Sequence, residues 1–558
     1  MMRDWHELVS KPCYSIKSEK NVRVTMRDGV KLRVDIYYPD APGKFPTLLA
    51  ISPYGKELQA LPAPVRPYSP FHGGESIEAG KTEFWVSRGY VHVIADTRGS
   101  GYSEGEYCFY GRQEHEDGYD LVEWIALQPW SDGNVGMIGM SAFAIIQYHV
   151  AAQNPPHLKA IAPCEGLTDR YRQTCYHGGI LNYGFYKFWW HTTAVHTFEP
   201  ISRREWAKEE LNLKVEALKN QIDFKSIPAG YLPLICPANN PLLFDLYLHP
   251  YDGPFYWERS AYQGFDRIKV PVFILNRWTG WSIHLAGAFS AYEGIQAPKK
   301  MVIFTTQKTF GPDRPWSENH DEILRWYDHW LKKIDTGLME EPPIKIWVQG
   351  AEKWRFEKEW PLARTEWTKF YLRENGRLQE EPPQSDERPD SFVNRLYWDP
   401  KEEIPCAKYT TERFIKNVEI TGPIALYLKA ALSTKDANWM VDIKDIGEDG
   451  SERLVTRGWL KASHRAIDQN KSKPYQPFHP HTESITIKPN EIVEYAIEIR
   501  ETSYVFKAGH SLKLIIKGED SPYEDPLWFH LPNMRETRHT LYHNSKDVSY
   551  LLLPIIPA

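Results

Sequence analysis

Apolar residues are distributed along this chain in two textures. From Val22 to Tyr38 they alternate with polar positions around the turn Asp28-Gly29, which predicts a hairpin. Thr47 to Ser52 and Tyr90 to Ala95 are unbroken apolar runs, as expected of strands buried on both faces. Residues 114 to 128 carry Leu121, Trp124, Ile125 and Leu127 at helical spacing. Gly136 to Gly139, Leu158 to Ala162, Val270 to Leu275 and Met301 to Thr305 repeat the buried-strand pattern, and Ile323 to Leu331 returns to helical spacing. Short apolar strands alternating with helices predict a parallel α/β sheet.

Two changes of texture divide the chain. Between about 165 and 260 the alternation stops. Charged helical patterning (Arg203 to Asp223), clustered aromatics (Phe185, Phe188, Trp189, Trp190) and a proline-rich stretch (Pro228 to Pro254) predict a helical cap over the strand ends. After about 345, short β-branched runs such as Ile424 to Ala430, Val441 to Ile443 and Val493 to Ile499 are separated by turns, which predicts an all-β sandwich or jelly roll. The expected divisions are an α/β core at 1–165 and 261–345, a helical cap at 166–260 and a β jelly-roll domain at 346–558.

Composition narrows the function. A chain of 558 residues has room for two to four domains. A net charge of −6 without a basic block leaves no electrostatic footprint for nucleic acid. No stretch of about 18 apolar residues is present to span a membrane, and Met1 to Lys20 lacks the apolar centre of a signal peptide. The six cysteines are scattered, with no C-x-x-C pair to suggest zinc or a disulfide framework, so a cytoplasmic location is expected. No metal or organic cofactor is expected, and the partner is a small-molecule substrate.

The stretch Gly136-Met137-Ile138-Gly139-Met140-Ser141-Ala142-Phe143-Ala144 carries the candidate chemistry. An apolar strand meets a sharp turn and a helix follows, the layout of a nucleophile elbow, which projects a serine hydroxyl above a sheet edge. The usual pattern is Gly-x-Ser-x-Gly, and here Phe143 stands at the last glycine. An ordinary turn with a helix-capping serine is the blander reading.

Several further segments carry a family resemblance. Pro53-Tyr54-Gly55-Lys56 follows the first buried strand. Asp96 to Gly105 reads Asp-x-Arg-Gly-x-Gly-x-Ser-x-Gly, Trp130 to Gly136 leads into the elbow, Arg325 to Lys332 follows the core strands, and Val505 to Leu512 lies in the last domain. Together they resemble the cocaine-esterase-like or X-Pro dipeptidyl-peptidase-like hydrolases. The resemblance implies an α/β-hydrolase core, a helical cap and a C-terminal jelly roll. It also implies Ser141 as nucleophile, with the Tyr54 hydroxyl and the Ala142 backbone N–H as oxyanion donors. Ala142 replaces the tyrosine that usually follows the serine. Relatives that self-associate make a homodimer consistent with the resemblance.

The rest of the triad departs from the pattern. The family's Trp-x-Asp loop corresponds to Trp278-Thr279-Gly280, which puts Gly280 at the acid position. The base after the last strand falls on Lys308. Candidate substitutes are His320, His284 or Lys308 as base and Glu165 as its orienter, with His320 and Glu165 the favoured pair; each has an ordinary structural reading as well. Asp96 and Arg98 are expected to pair with each other in a buried loop. Phe143, Trp189, Trp190, Trp278 and Trp281 are expected to wall a pocket for a bulky apolar group. The expected function is a serine hydrolase acting on an ester or amide. The alternatives are a non-hydrolytic biosynthetic enzyme (cyclase, lyase or condensing enzyme) on the same fold, or a binding protein that uses the capped pocket as a receptor.

Overall fold

The computed structural model describes residues 4–59, 78–190, 205–221, 240–305, 319–395, 402–521, 527–533 and 535–557. Its first unit is built on β1 (Ile16–Thr25), β2 (Lys31–Pro39), β3 (Phe45–Ser52), β4 (Val91–Asp96), β5 (Ser131–Met140) and β6 (Leu158–Cys164). A two-residue ribbon, β7 (Tyr176–His177) and β8 (Ile180–Leu181), precedes β9 (Val272–Arg277), β10 (Lys299–Phe304), β11 (Ile344–Val348) and β12 (Lys353–Glu357). The ten long strands form one sheet in the order β1-β2-β4-β3-β5-β6-β9-β10-β11-β12. Strands β4 to β11 within it are parallel, and the flanking β1, β2 and β12 are antiparallel.

This order has a chemical consequence. Parallel strands deliver all their carboxyl ends to one sheet edge, where open α/β sheets bind ligands. Tyr54 follows β3, Ser141 follows β5, Glu165 follows β6, and the segment Trp278 to His284 follows β9. The helices Arg112–Ala126, Ala142–Ala151 and Leu285–Gly294 pack with the sheet in an apolar core that includes Leu121, Ile146, Met137, Ile161 and Leu285. Among the described residues no helix is long and apolar enough to cross a membrane.

The sheet of the first unit runs to Glu357, past the expected division at 345. Ile344 pairs with Met301 and with Glu357, so β11 and β12 extend the first sheet. The alternation in Ile344–Val348 is that of a sheet nearing its edge, which the sequence alone does not distinguish from a strand of the following β domain. The second unit is all β. Eleven strands from Glu366–Arg373 to Tyr550–Ile556 form one sheet, and the last strand pairs with both Glu366–Arg373 and Val418–Leu432, which curls the sheet toward a barrel. The two units meet along Gln349, whose backbone exchanges hydrogen bonds with Ser503 and Val505.

Asp96 and Arg98 do not pair with each other. The Arg98 guanidinium donates to Asp117 at 2.6 Å and pairs with Asp28 at 3.0 Å. Asp96 accepts the Lys56 backbone N–H at 2.7 Å, and burial pushes its carboxyl up to about 6.

Candidate active site

Ser141 sits at φ 57°, ψ −113°, between β5 and the helix Ala142–Ala151. A serine in left-handed backbone is strained and persists only where its surroundings hold it. Here the holding is specific. The Ser141 N–H donates to the Cys164 carbonyl at 3.0 Å, and its own carbonyl accepts from Ala144 and Ile145, at 3.0 and 2.9 Å. Gly139 is at φ +134°, and a Cβ there would lie 2.2 Å from the Phe143 Cβ. The glycine therefore lets Phe143 occupy a position where the common motif has a second glycine. Buried Gln147 ties the turn together, donating to the Phe143 carbonyl at 3.1 Å and accepting from the Ala162 N–H at 3.1 Å.

Tyr54 and Ser141 line one cavity, with the tyrosine hydroxyl beside the serine. The Trp189 indole N–H donates to the same oxygen at 3.0 Å. An indole nitrogen can only donate, so the Tyr54 oxygen accepts from Trp189 and its own O–H remains available as a donor. Burial, aided by the charges of Tyr110 and Glu78, holds the Tyr54 hydroxyl well above 10, so it keeps that proton. Phe143 packs edge-on beneath the Tyr54 ring at 6.3 Å. The N–H of Ala142 belongs to the first turn of its helix and has no intrahelical acceptor. The Tyr54 O–H and the Ala142 N–H are the donor groups that the elbow and the cavity offer next to Ser141.

A cavity of about 20 Å³ is lined by Ser141, Tyr54 and His284. It is walled by aromatic and aliphatic side chains, among them Phe109, Ile145, Phe185 and Trp189, and by Tyr110, Arg170 and Thr174. Phe109, Tyr110 and Ser141 all have positive φ, as does Glu165 just behind the wall. Left-handed non-glycine backbone gathered at one place is typical of a functional site. The cavity holds about one water.

The predicted site residues divide between this cavity and elsewhere. Ser141, Tyr54, Trp189 and His284 meet there. His320 does not line it. Its Nε2 accepts the Lys81 backbone N–H at 3.1 Å, and its ring lies against Phe84 and Trp85 at the start of the helix His320–Trp330. Glu165 is fully buried and paired with Arg277 at 2.9 Å, rather than with a histidine. Lys308 lies outside the described residues. Of the expected wall, Trp278 is turned into the core, where its indole donates to the Trp347 carbonyl at 2.7 Å. Trp281 faces the β unit, beside Trp459 and under the Arg457 guanidinium. Trp190 is buried in the neighbouring aromatic cluster and Phe143 lies below Tyr54, neither on the cavity surface. At Gly280 a Cβ would point at Asn276 and His284, so this position faces the base candidate. Tyr110, Arg170 and Thr174 carry no sequence signal of a site beyond the aromatic run Tyr107-Cys108-Phe109-Tyr110.

A larger cleft of about 690 Å³ lies between the two units, with Arg172, Asp252, Trp459, Arg500 and Glu501 on its walls. Ser141 is not part of it, and volume alone does not make it the reaction site.

Residues 28–308 match the family model described as X-Pro dipeptidyl-peptidase (S15 family), and residues 336–552 match that of the X-Pro dipeptidyl-peptidase C-terminal non-catalytic domain. The chain is 27% identical to the cocaine esterase of a Rhodococcus species over 97% of its own length and 99% of that protein's. A solved CocE/NonD family hydrolase from Staphylococcus aureus superposes with a TM-score of 0.79 at 26% identity, covering 97% of this chain and 94% of the other. An α-amino acid ester hydrolase shares the fold, with a TM-score of 0.75 at 18% identity over 97% of both chains. On the elbow, the sheet order and these matches, the chain is a hydrolase that belongs to the CocE/NonD, X-Pro dipeptidyl-peptidase-like (S15) family.

Proposed function

We propose that this enzyme is a serine hydrolase that cleaves an ester or amide of a bulky, largely apolar substrate through an acyl-enzyme on Ser141. The observation that carries this reading is the strained elbow that holds Ser141 at φ 57° in one cavity with Tyr54 and His284, where Trp189 donates to the tyrosine oxygen and leaves its O–H available as a donor. Ser141 Oγ attacks the substrate carbonyl and its proton passes to His284, which shares the cavity. The carbonyl oxygen becomes an oxyanion, and the Tyr54 O–H and Ala142 N–H stabilise it. Such donors matter because they are aimed at charge that develops only in the transition state. The leaving alcohol or amine takes the proton from His284. Water then attacks the acyl-enzyme, giving a proton to His284 that returns to Ser141 as the acid departs.

The segment between β6 and β9 acts in this reading as a cap, since it supplies Phe185, Tyr186 and Trp189 to the wall. The β unit is read as a jelly roll that supports the cap from the far side. The competing reading is a non-hydrolytic reaction in the same cavity. It is favoured by the Glu165–Arg277 pair, which leaves that carboxylate occupied by a cation.

Turnover of p-nitrophenyl esters separates the histidines. His284→Gln lowers kcat by about 10² or more, as loss of a general base does, and His320→Gln stays within a few-fold of the wild type. Equal losses in both variants contradict the assignment of His284.

A further inference from the structure

The segment after β6 carries an arginine that the mechanism above does not use. Arg170 is 3% exposed and lines the cavity of Ser141. Its backbone N–H is fixed by the Ser260 hydroxyl at 2.8 Å. Its guanidinium lies over the rings of Tyr110 and Phe109, at 4.3 and 4.9 Å. Its Nε and Nη2 are shut off from solvent and have no hydrogen-bond partner, and no carboxylate among the described residues pairs with it.

Other buried arginines of the chain are treated differently. Arg98 has Asp117, Arg259 has Glu205, Arg277 has Glu165, and Arg325 has Glu341. A buried cation is ordinarily paired because its desolvation is otherwise uncompensated. The two rings supply cation–π attraction but no acceptor for the N–H groups. The same wall carries the Thr174 and Tyr186 hydroxyls, 3.1 Å apart. What such a wall lacks is an anion. A carboxylate suits it best, since its two oxygens match the guanidinium fork.

We infer that Arg170 anchors a carboxylate of the substrate, so that the bond cleaved at Ser141 belongs to an ester or amide bearing an anionic group. This rests on the Ser141 reading above, and the test keeps the two apart. The monoesters of p-nitrophenol with adipate and suberate are compared with p-nitrophenyl hexanoate and octanoate, each corrected for spontaneous hydrolysis. The wild type is expected to favour the anionic member of a pair in kcat/KM by about 10- to 100-fold, the range for a hydrogen bond to a charged group. Arg170→Met collapses that ratio toward one, and Arg170→Lys keeps an intermediate ratio. The Tm of Arg170→Met is at or above that of the wild type, because an unpaired buried charge has gone. An unchanged ratio in Arg170→Met, or a lowered Tm with equal loss on both ester types, marks Arg170 as a structural cation and overturns the inference. If fluorophosphonate fails to label Ser141 and no ester is turned over, the nucleophile reading falls and the subsite is judged by binding alone. Adipate then raises the Tm of the wild type but not of Arg170→Met, while adipamide raises neither. A Tm rise with adipate that persists in Arg170→Met overturns the inference in that arm.

Discussion

At the scale of single residues, stabilisation of an oxyanion at Ser141 depends on the Tyr54 hydroxyl keeping its proton. Trp189 donates into the Tyr54 oxygen, and burial keeps the tyrosine proton in place, so the O–H is available to an oxyanion formed at Ser141. Tyr54→Phe keeps the ring that packs on Phe143 and removes only the donor. It should slow turnover by on the order of 10² to 10³, the usual effect of losing one oxyanion donor, with the Tm near that of the wild type; initial rates and a melting curve check both. Ser141 and Tyr54 were legible in the sequence because each belongs to a local motif at a strand end. The base was not. His320 and His284 both follow core strands, and which one faces Ser141 depends on how the helices after β9 and β10 are rotated, which spacing does not encode. Arg170 was invisible for a related reason. In the sequence it stands beside Asp169, an apparent partner, yet that carboxylate pairs with Arg172.

At the scale of elements, the elbow exists because three small adjustments agree. Gly139 accepts a φ that other residues avoid, Phe143 fills the space that its missing side chain leaves, and Gln147 joins the helix to β6. Gly139→Ala puts a Cβ 2.2 Å from Phe143, where the two cannot coexist. The helix must shift, so both the Tm and the rate of Ser141 labelling should fall. A Gly139→Ala variant that labels at the wild-type rate would show that the turn tolerates the clash. The parallel strands were legible because burial on both faces makes them unbroken apolar runs. The end of the first sheet was not, since β11 and β12 alternate like the β unit that follows.

At the scale of the whole molecule, pH reports on groups buried in the uncharged form. Glu501, in the cleft between the units, is pushed from 4.5 up to about 8 by burial and then by the charge of Glu498. Burial likewise lifts Glu114 and Glu519 to about 7. A carboxyl raised in this way binds its proton more tightly folded than unfolded. Stability therefore falls as pH rises from about 4.5 through the folded value, and the loss is complete above it. Buried His92, His115, His249 and His539, each lowered to about 4, act in the opposite direction only below about 6.5. Between about pH 6.5 and 8 the raised carboxyls set the slope, so the Tm should decline across that window; above about 8, Lys300, lowered to about 8 by burial, acts against them. Glu501→Gln should flatten the decline, its share being on the order of a few kcal/mol. A Tm profile that is flat in the wild type, or unchanged by Glu501→Gln, would refute this.

Whether Ser141 is a nucleophile is read from intact-mass spectrometry after treatment with a fluorophosphonate. A nucleophilic Ser141 gives one adduct per chain, mapped to the peptide containing Ser141, slowed in His284→Gln and absent in Ser141→Ala. An unmodified wild-type protein, or an adduct that survives in Ser141→Ala, would contradict it.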